Sequence, residues 1–258
     1  MEAEYCWDSH WVSALAGISS PRLTWYGEDR IELSGQVINN WVTKTQNLLA
    51  GDLAAQPGGV LALALGLSWR DLLWRIAGWG LGMTVKSLTD PAPDSAETAE
   101  LVADPDLVAC ALNDPGAGSG FVDSGIETDL VSLSPLAWRY PEDLPAGFLD
   151  GNREVLSQAD QLLFPLPDQA SLLVDTSFEI CADGKIISDF PRWCEQNCPG
   201  SRILIKVTSD TSPHSLALIS GQIWRYQGAA VVLEPNCGEI EKISSLEHIT
   251  KVVELSCR

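Results

Sequence analysis

Two cysteines are spaced so that they could share one face of a helix and bind a metal ion. Cys194 and Cys198 lie four residues apart in a segment with a helical pattern. A zinc site there would need two further ligands from elsewhere in the chain. The sequence has no second closely spaced cysteine pair and no histidine pair with such spacing. We therefore predict structural thiols and no metal site.

Serine, histidine and glycine patterns do not favour hydrolytic or redox catalysis. His10, His214 and His248 are isolated, and no Gly-x-Ser-x-Gly elbow follows a predicted strand. The run Gly116–Gly120 loosely matches a dinucleotide-binding loop, but residues 121–123 are a poor start for the helix that such a site requires. A hydrolase and a nicotinamide enzyme are disfavoured, and no cofactor is predicted.

The charge of the chain limits its partners. Its 258 residues carry a net charge of −19, and only 16 basic residues are scattered along the sequence. Nucleic acid and anionic membranes both attract clustered lysine and arginine, so neither is expected as a partner.

The expected location follows from three features of the sequence. It has no apolar run of about 18 residues that could span a membrane. Residues 1–11 are acidic where a secretory signal is basic. The seven cysteines are odd in number and widely separated, which is typical of reduced thiols. We predict a soluble, cytoplasmic protein without structural disulfides.

Alternating strand and helix patterns predict an α/β fold with mostly parallel sheets and helices on both faces. The continuous apolar runs at 60–65 and 203–207 are typical of parallel strands covered on both sides. Ser34 and Ser68 are placed to cap helices, and Ser68 begins a capping box. Residues 113–120 are expected to form a surface loop.

Proline spacing suggests how the chain is organised. Five prolines fall within 135–167, which makes this the least regular region. We predict a first α/β lobe at 1–134, a Pro-rich connecting segment at 135–168 and a second α/β lobe at 169–258 packed on the first.

Several segments share a pattern with a known superfamily. They are Leu23–Tyr26, Asn47–Leu49, Pro57–Leu63, Trp74–Val85 and Gly228–Pro235. These segments resemble the N-terminal domain of adenylate-forming enzymes, the AMP-binding and acyl-CoA synthetase superfamily. They look most similar to an actinobacterial group that keeps only this N-terminal portion. The resemblance implies the fold of that domain, and it also indicates where the phosphate loop of the superfamily would lie.

That loop would correspond to residues 175–185. Thr176, Ser177, Gly184 and Lys185 match its hydroxyl, glycine and lysine positions, with Lys185 one residue late. The resemblance therefore implies a vestigial phosphate loop at these four residues. In a working loop, glycines let backbone N–H groups approach the phosphates, and the lysine offsets their charge.

The rest of the adenylation machinery is altered. Phe178 and Glu179 fill the glycine-rich centre of the loop, where a carboxylate would repel a polyphosphate by several kcal/mol. The Tyr-x-Thr-Gly-Asp ribose motif has no counterpart, because the only Gly-Asp pair is at 51–52. The lid domain with its lysine is also without a counterpart. ATP binding and adenylation are therefore not expected.

These departures predict a degenerate, non-catalytic relative that acts as a binding or interaction module. The alternative is an enzyme that keeps a weak acyl or adenylate pocket and works with a separate lid domain. The partners left open are another protein and a second copy of the chain. Trp7, Trp11 and Trp193 lie outside the core spacing and would indicate a protein–protein surface if they are exposed.

Overall fold

In the computed structural model of the protein, residues 2–8, 10–175, 178–182 and 184–257 are described. Strands and α-helices alternate along most of these ranges. In chain order the elements are β1 (Glu2–Asp8), β2 (Pro21–Tyr26), β3 (Arg30–Ser34), α1 (Gly35–Asn47), β4 (Val60–Ala64), α2 (Trp69–Gly80), β5 (Thr84–Ser87), α3 (Ala96–Val102), β6 (Leu107–Leu112), α4 (Pro115–Asp123), β7 (Glu127–Leu130), β8 (Phe148–Asp150), α5 (Gly151–Ser157), β9 (Gln169–Asp175), β10 (Phe178–Ala182), β11 (Lys185–Ile186), α6 (Phe190–Asn197), β12 (Arg202–Lys206), α7 (Pro213–Arg225), β13 (Ala229–Leu233), α8 (Ile240–Leu246) and β14 (Lys251–Cys257). A 3₁₀ helix at Trp11–Leu15 and a π-helical turn at Leu48–Asp52 are also present. Among the described helices, none has the length and apolar character needed to cross a membrane.

Contacts divide the described residues into two units. The terminal unit contains residues 2–4, 11–39 and 173–257, and the central unit contains residues 5–8, 10 and 40–172. This division differs from the predicted lobes at 1–134 and 169–258. It differs because β2 pairs in parallel with β13, through Leu23 and Ala230, so the N-terminal hairpin joins the sheet of the C-terminal strands.

The central unit is built on a five-stranded parallel sheet. Its strand order is β5-β4-β6-β7-β8, and every neighbouring pair is parallel. Helix α2 packs against β4 and β5, and α4 packs against β6 and β7. The predicted α/β fold class, with helices flanking parallel strands, is confirmed. Strand β4 is among the most buried, since residues 60–63 are at most 5% exposed.

The terminal unit is built on a seven-stranded mixed sheet. Its order is β11-β10-β14-β12-β13-β2-β3. The four strands from β14 to β2 are mutually parallel, whereas β10, β11 and β3 pair antiparallel at the two sides. Residues 203–205 of β12 are fully buried, as the continuous apolar run predicts. Strands β1 and β9 form a separate two-stranded sheet.

Helix α2 is fixed at its start and along one face. The Ser68 hydroxyl accepts a hydrogen bond from the Asp71 N–H at 3.1 Å, which confirms the predicted cap. Asp71 and Arg75 form a fully buried ion pair, with Nε–Oδ1 at 2.9 Å. Arg75 also donates to the Ser87 hydroxyl at 3.1 Å, which links α2 to β5.

The prediction of a surface loop at 113–120 is wrong, because α4 begins at Pro115. Asp114 caps this helix by accepting from the Gly116 N–H at 2.9 Å, and proline suits a first helical position. Close packing explains a glycine in its middle. A Cβ at Gly118 would lie 2.6 Å from the Phe148 ring, so a side chain there would displace that ring.

Residues 135–168 are more regular than their prolines suggest. This stretch lies within the central unit and contains β8 and α5. Asp150 links its parts, because its carboxylate accepts from the Arg153 N–H at 3.1 Å and from the Tyr140 N–H at 3.0 Å. The stretch therefore extends the parallel sheet by its edge strand.

Candidate functional site

The segment that resembles a phosphate loop is, where it is described, a strand, a turn and a strand. Phe178 pairs with Cys257, and Glu179 pairs with Ser256, in the antiparallel ladder between β10 and β14. Gly184 follows with a φ of 74°, and Lys185 lies exposed on β11 opposite Ala182.

The structure describes two of the four predicted site residues. Thr176 and Ser177 lie outside the described residues. Gly184 and Lys185 are neighbours at an exposed turn, and the backbone from 178 to 182 is extended. A phosphate cradle needs consecutive N–H groups that converge on one point, which an extended ladder does not provide.

A cleft of about 460 Å³ lies beside this turn, between the hairpin and α6. Two cations line it, Lys185 and Arg192, and neither forms an ion pair with a described residue. Asp189 is also in the lining, and its carboxylate caps α6 by accepting from the Arg192 N–H at 3.0 Å. Trp193 forms an aromatic wall, stacked on Phe190 at a centroid distance of 5.6 Å.

Cys194 of α6 and Cys198, which directly follows the helix, lie near this cleft but face the interior. Cys194 and Cys198 are both fully buried, and each is a free thiol. A side-chain hydrogen bond with Cys198, together with burial, raises the pKa of Cys194. Neutral thiols in apolar surroundings are poor metal ligands and poor nucleophiles. Within the described ranges, no group of three His, Cys, Asp or Glu residues could hold a metal ion.

The three tryptophans outside the core spacing have different environments. Trp11 is buried, with its ring 6.4 Å from that of Trp224, so it does not contribute to an exposed aromatic patch. Trp193 is half-buried in the cleft wall. The side chain of Trp7 lies outside the described part of the chain.

The strand order of the central unit indicates where a ligand would bind. With β4 counted as the first strand, the order β5-β4-β6-β7-β8 is of the type 2-1-3-4-5, which reverses direction between β4 and β6. In open sheets of this type, ligands bind outside the carboxyl ends of the strands at that point. Here Tyr140 occupies that region. Its side chain packs in the apolar cluster with Leu88 and Leu112, and its hydroxyl donates to the Asn113 carbonyl, directly after β6, at 3.2 Å.

A buried cation near the start of α2 was not anticipated from the sequence. Arg70 is 2% exposed and lies between two indole rings, 4.2 Å from the centroid of Trp41 and 4.1 Å from that of Trp69. Its Nη2 donates to the Ala137 carbonyl at 3.2 Å. Burial lowers the pKa of Arg70 to about 9, so the guanidinium stays charged at neutral pH and is stabilised by the rings.

A buried acid in β7 was also missed. Asp129 is fully buried, and neither carboxylate oxygen has a hydrogen-bond partner among the described residues. Burial, together with the negative charges of Glu154, Glu127 and Asp150, raises the pKa of Asp129 to about 7. The sequence signal for it is weak, because Asp129 directly precedes a short strand-like run at 130–133.

Comparisons with solved structures identify the architecture. An acyl-CoA synthetase from Brucella canis superposes with a TM-score of 0.64 at 16% identity, over 96% of this chain and 47% of that one. The chain has an acyl-CoA synthetase-like fold. Acetoacetyl-CoA synthetase from Streptomyces lividans gives 0.59 at 15% identity, over 88% of this chain and 38% of that one. o-Succinylbenzoate CoA synthetase from Bacillus subtilis gives 0.58 at 11% identity, over 95% and 48%. The chain thus spans about half the length of these enzymes or less.

A sequence relative is also found. A "TIGR03089 family protein" from Mycobacterium tuberculosis is 32% identical over 168 residues, which is 63% of this chain and 65% of that protein. No protein-family profile matches the chain. The structural matches confirm the predicted resemblance to adenylate-forming enzymes at the level of the fold.

Proposed function

We propose that the chain is a non-catalytic binding module on the scaffold of adenylate-forming enzymes. The observation that carries the proposal is the ladder at 178–182. Its backbone is extended and paired with β14, so its N–H groups point towards neighbouring strands and do not converge on a phosphate. Glu179 adds a carboxylate at the point where the phosphate loop of the superfamily has glycine.

The central unit supports the same proposal independently. Its carboxyl edge beside β6 is the place where an open parallel sheet binds a ligand. Tyr140 fills this region with an almost fully buried ring, and its hydroxyl is already bonded to a backbone carbonyl. A ligand at this edge would have to displace a side chain of the apolar core.

The cleft beside α6 is the binding surface that we assign to the module. Lys185 and Arg192 present two positive charges in a chain of net charge −19, and neither has an ion-pair partner among the described residues. Trp193 adds an aromatic wall. Cations together with an aromatic face suit a small ligand that carries a carboxylate or phosphate group and an apolar or aromatic body.

Two measurements on the full chain test the proposal. The first is ATP–pyrophosphate exchange with a panel of carboxylic acids, for which we expect no exchange. The second is thermal shift with ATP, AMP and acyl-CoA at millimolar concentration and with a panel of aryl carboxylates and aryl phosphates. We expect stabilisation by at least one aryl anion. Carboxylate-dependent exchange, or stabilisation by ATP alone, would instead favour the alternative of a weak enzyme with a separate lid domain.

Paired substitutions assign any stabilisation to the cleft. Lys185→Ala combined with Arg192→Ala should abolish the shift caused by the aryl anion. Lys206→Ala is the control for a positive charge removed outside the cleft, because Lys206 is partly exposed in the terminal unit and pairs with Glu254 at 3.2 Å. An equal loss in the control variant would mean that overall charge, and not the cleft, determines binding.

A further inference from the structure

Residues 156–167, which we call the apolar strap, present large apolar side chains to solvent. Leu156 and Leu162 are each 39% exposed, Leu163 is 63% exposed and Phe164 is 36% exposed. Of the ten exposed large apolar residues found in the described ranges, seven lie between 136 and 164. The exposure is therefore concentrated in one part of the central unit, which is typical of an interaction surface.

The backbone of the strap is held by α1. Asn47 is 1% exposed, and its Nδ2 donates to the carbonyls of Ala159 at 3.1 Å and Gln161 at 2.9 Å. The Asn47 Oδ1 accepts from the Leu163 N–H at 2.9 Å. Because one buried side chain makes three bonds to the strap, its apolar side chains are presented on a fixed backbone. A fixed surface loses little conformational entropy when a partner binds.

An apolar cleft of about 370 Å³ adjoins the strap. Its apolar walls are formed by Phe164, Pro165, Pro167, Ala50, Ala55 and Leu81. This volume is at the lower end of the range for ligand pockets, about 300–1,000 Å³. It suits one or two large apolar side chains inserted from a partner, in the way that hot-spot residues fill pockets.

Carboxylates border the strap. The side chains of Asp160 and Asp168 are 66% and 104% exposed, and Asp160 also pairs with Lys44 at 3.2 Å. Asp52 is exposed, and it accepts from the Gln158 side chain at 2.7 Å. Apolar anchors with an acidic border are complementary to a segment with apolar side chains flanked by lysine and arginine. A second copy of the chain would instead bring like charges together, since each copy carries −19.

We propose that the apolar strap and its cleft are the docking surface for a basic amphipathic segment of another protein. Apolar side chains of that segment pack on Leu163 and Phe164 and enter the cleft. Its basic side chains contact Asp52, Asp160 and Asp168. The proposal goes beyond the binding role assigned to the cleft beside α6 and does not depend on it.

Two labelled peptides of about 18 residues provide the test. They share one apolar helical face, and the polar face carries lysine in one peptide and glutamate in the other. Fluorescence anisotropy with the full chain should show binding of the lysine peptide that weakens as salt is added, and no binding of the glutamate peptide. Leu163→Asp should raise the Kd of the lysine peptide at least tenfold.

Leu246→Asp is the matched control. Leu246 is 65% exposed in the terminal unit, so this variant makes the same change in charge and apolarity away from the strap. It should bind the lysine peptide as the wild type does. Leu163→Ser provides the same test without added charge, and circular dichroism checks that all variants fold.

Three results would overturn the proposal. Equal losses of affinity in the two aspartate variants would show that the effect of Leu163→Asp is not specific to the strap. The cleft would be assigned to a lipid if a long-chain fatty acid stabilises the chain, Leu163→Asp removes this stabilisation, and the lysine peptide does not bind. A dimer in sedimentation that Leu163→Asp dissociates would assign the strap to a second copy.

Discussion

Replacing Asp129 by asparagine tests whether this buried carboxyl group, which has no hydrogen-bond partner in the described part of the chain, makes the central unit less stable as the pH rises. The folded chain holds the pKa of Asp129 at about 7, against an ordinary value of 3.8. A raised pKa means that folding favours the neutral form. The contribution of Asp129 to stability is therefore fully present below about pH 4 and is lost progressively until the pH passes about 7.

The size of the effect follows from the pKa. Each pKa unit corresponds to about 1.4 kcal/mol, so the interval between 3.8 and about 7 gives an upper limit of about 4 kcal/mol. Asparagine is neutral at every pH and has nearly the same shape. It leaves two polar atoms buried without partners, as the protonated acid does, so the two forms should have similar free energies of unfolding at low pH.

The measurement is urea unfolding of the wild type and Asp129→Asn at about pH 5 and about pH 8. The variant should gain about 2–3 kcal/mol in free energy of unfolding relative to the wild type between these two pH values. Asp123→Asn is the control, since it removes the same charge from an exposed position in the same unit. A difference between variant and wild type that does not change with pH would refute the reasoning.

Three further predictions concern other buried charges and the altered loop. Glu247 accepts hydrogen bonds from Tyr26 and two arginines, which together with the arginine charges lower its pKa despite opposing burial. Glu247→Gln should therefore cost about 2 kcal/mol at pH 7 in urea unfolding, and this cost should shrink as the pH falls below about 4.5. Asp71→Asn leaves the buried Arg75 without its counterion and should lower the free energy of unfolding by about 3 kcal/mol. Restoring glycine at 178 and 179 should still give no pyrophosphate release, because catalysis requires several groups that act together.

Local patterns in the sequence predict most of the elements correctly. The apolar runs at 60–65 and 203–207 contain the buried parallel strands β4 and β12, because an apolar run without alternation needs cover on both faces. Ser68 caps α2 because the capping pattern depends on residues only three positions apart. Signals of this kind depend on residues within one helical turn or one strand, so they can be recognised in the amino-acid sequence without knowledge of the fold.

The errors arise where distant contacts decide the outcome. The glycines at 116–120 favour a loop on propensity alone, but Gly118 lies against Phe148, and that packing outweighs their cost in a helix. The fragment at 178–185 contains residue types suited to phosphate, yet its strand is fixed by pairing with residues 253–257. An Asp-Gly pair at 183–184 between two apolar runs is itself a hairpin signal.

The candidate site was less predictable than the fold. Nothing in the local sequence indicates that Arg70 is buried between two indole rings, or that Asp129 is buried without a hydrogen-bond partner among the described residues. The cleft at Lys185 and Arg192 forms only when the hairpin and α6 are brought together. Burial and proximity of this kind depend on the complete fold.

The pairing of β2 with β13 has a consequence for the order in which the protein forms during translation. The Trp224 indole donates to the carbonyl of Arg22, across 202 residues of chain. Residues 40–172, by contrast, contain the complete parallel sheet of the central unit. Because a chain leaves the ribosome from its N-terminus, this sheet can form while the hairpin at 21–34 still lacks its neighbouring strand. The β2–β3 hairpin must then wait, with one side unpaired and open to association with other chains, until residues 229–233 have been synthesised.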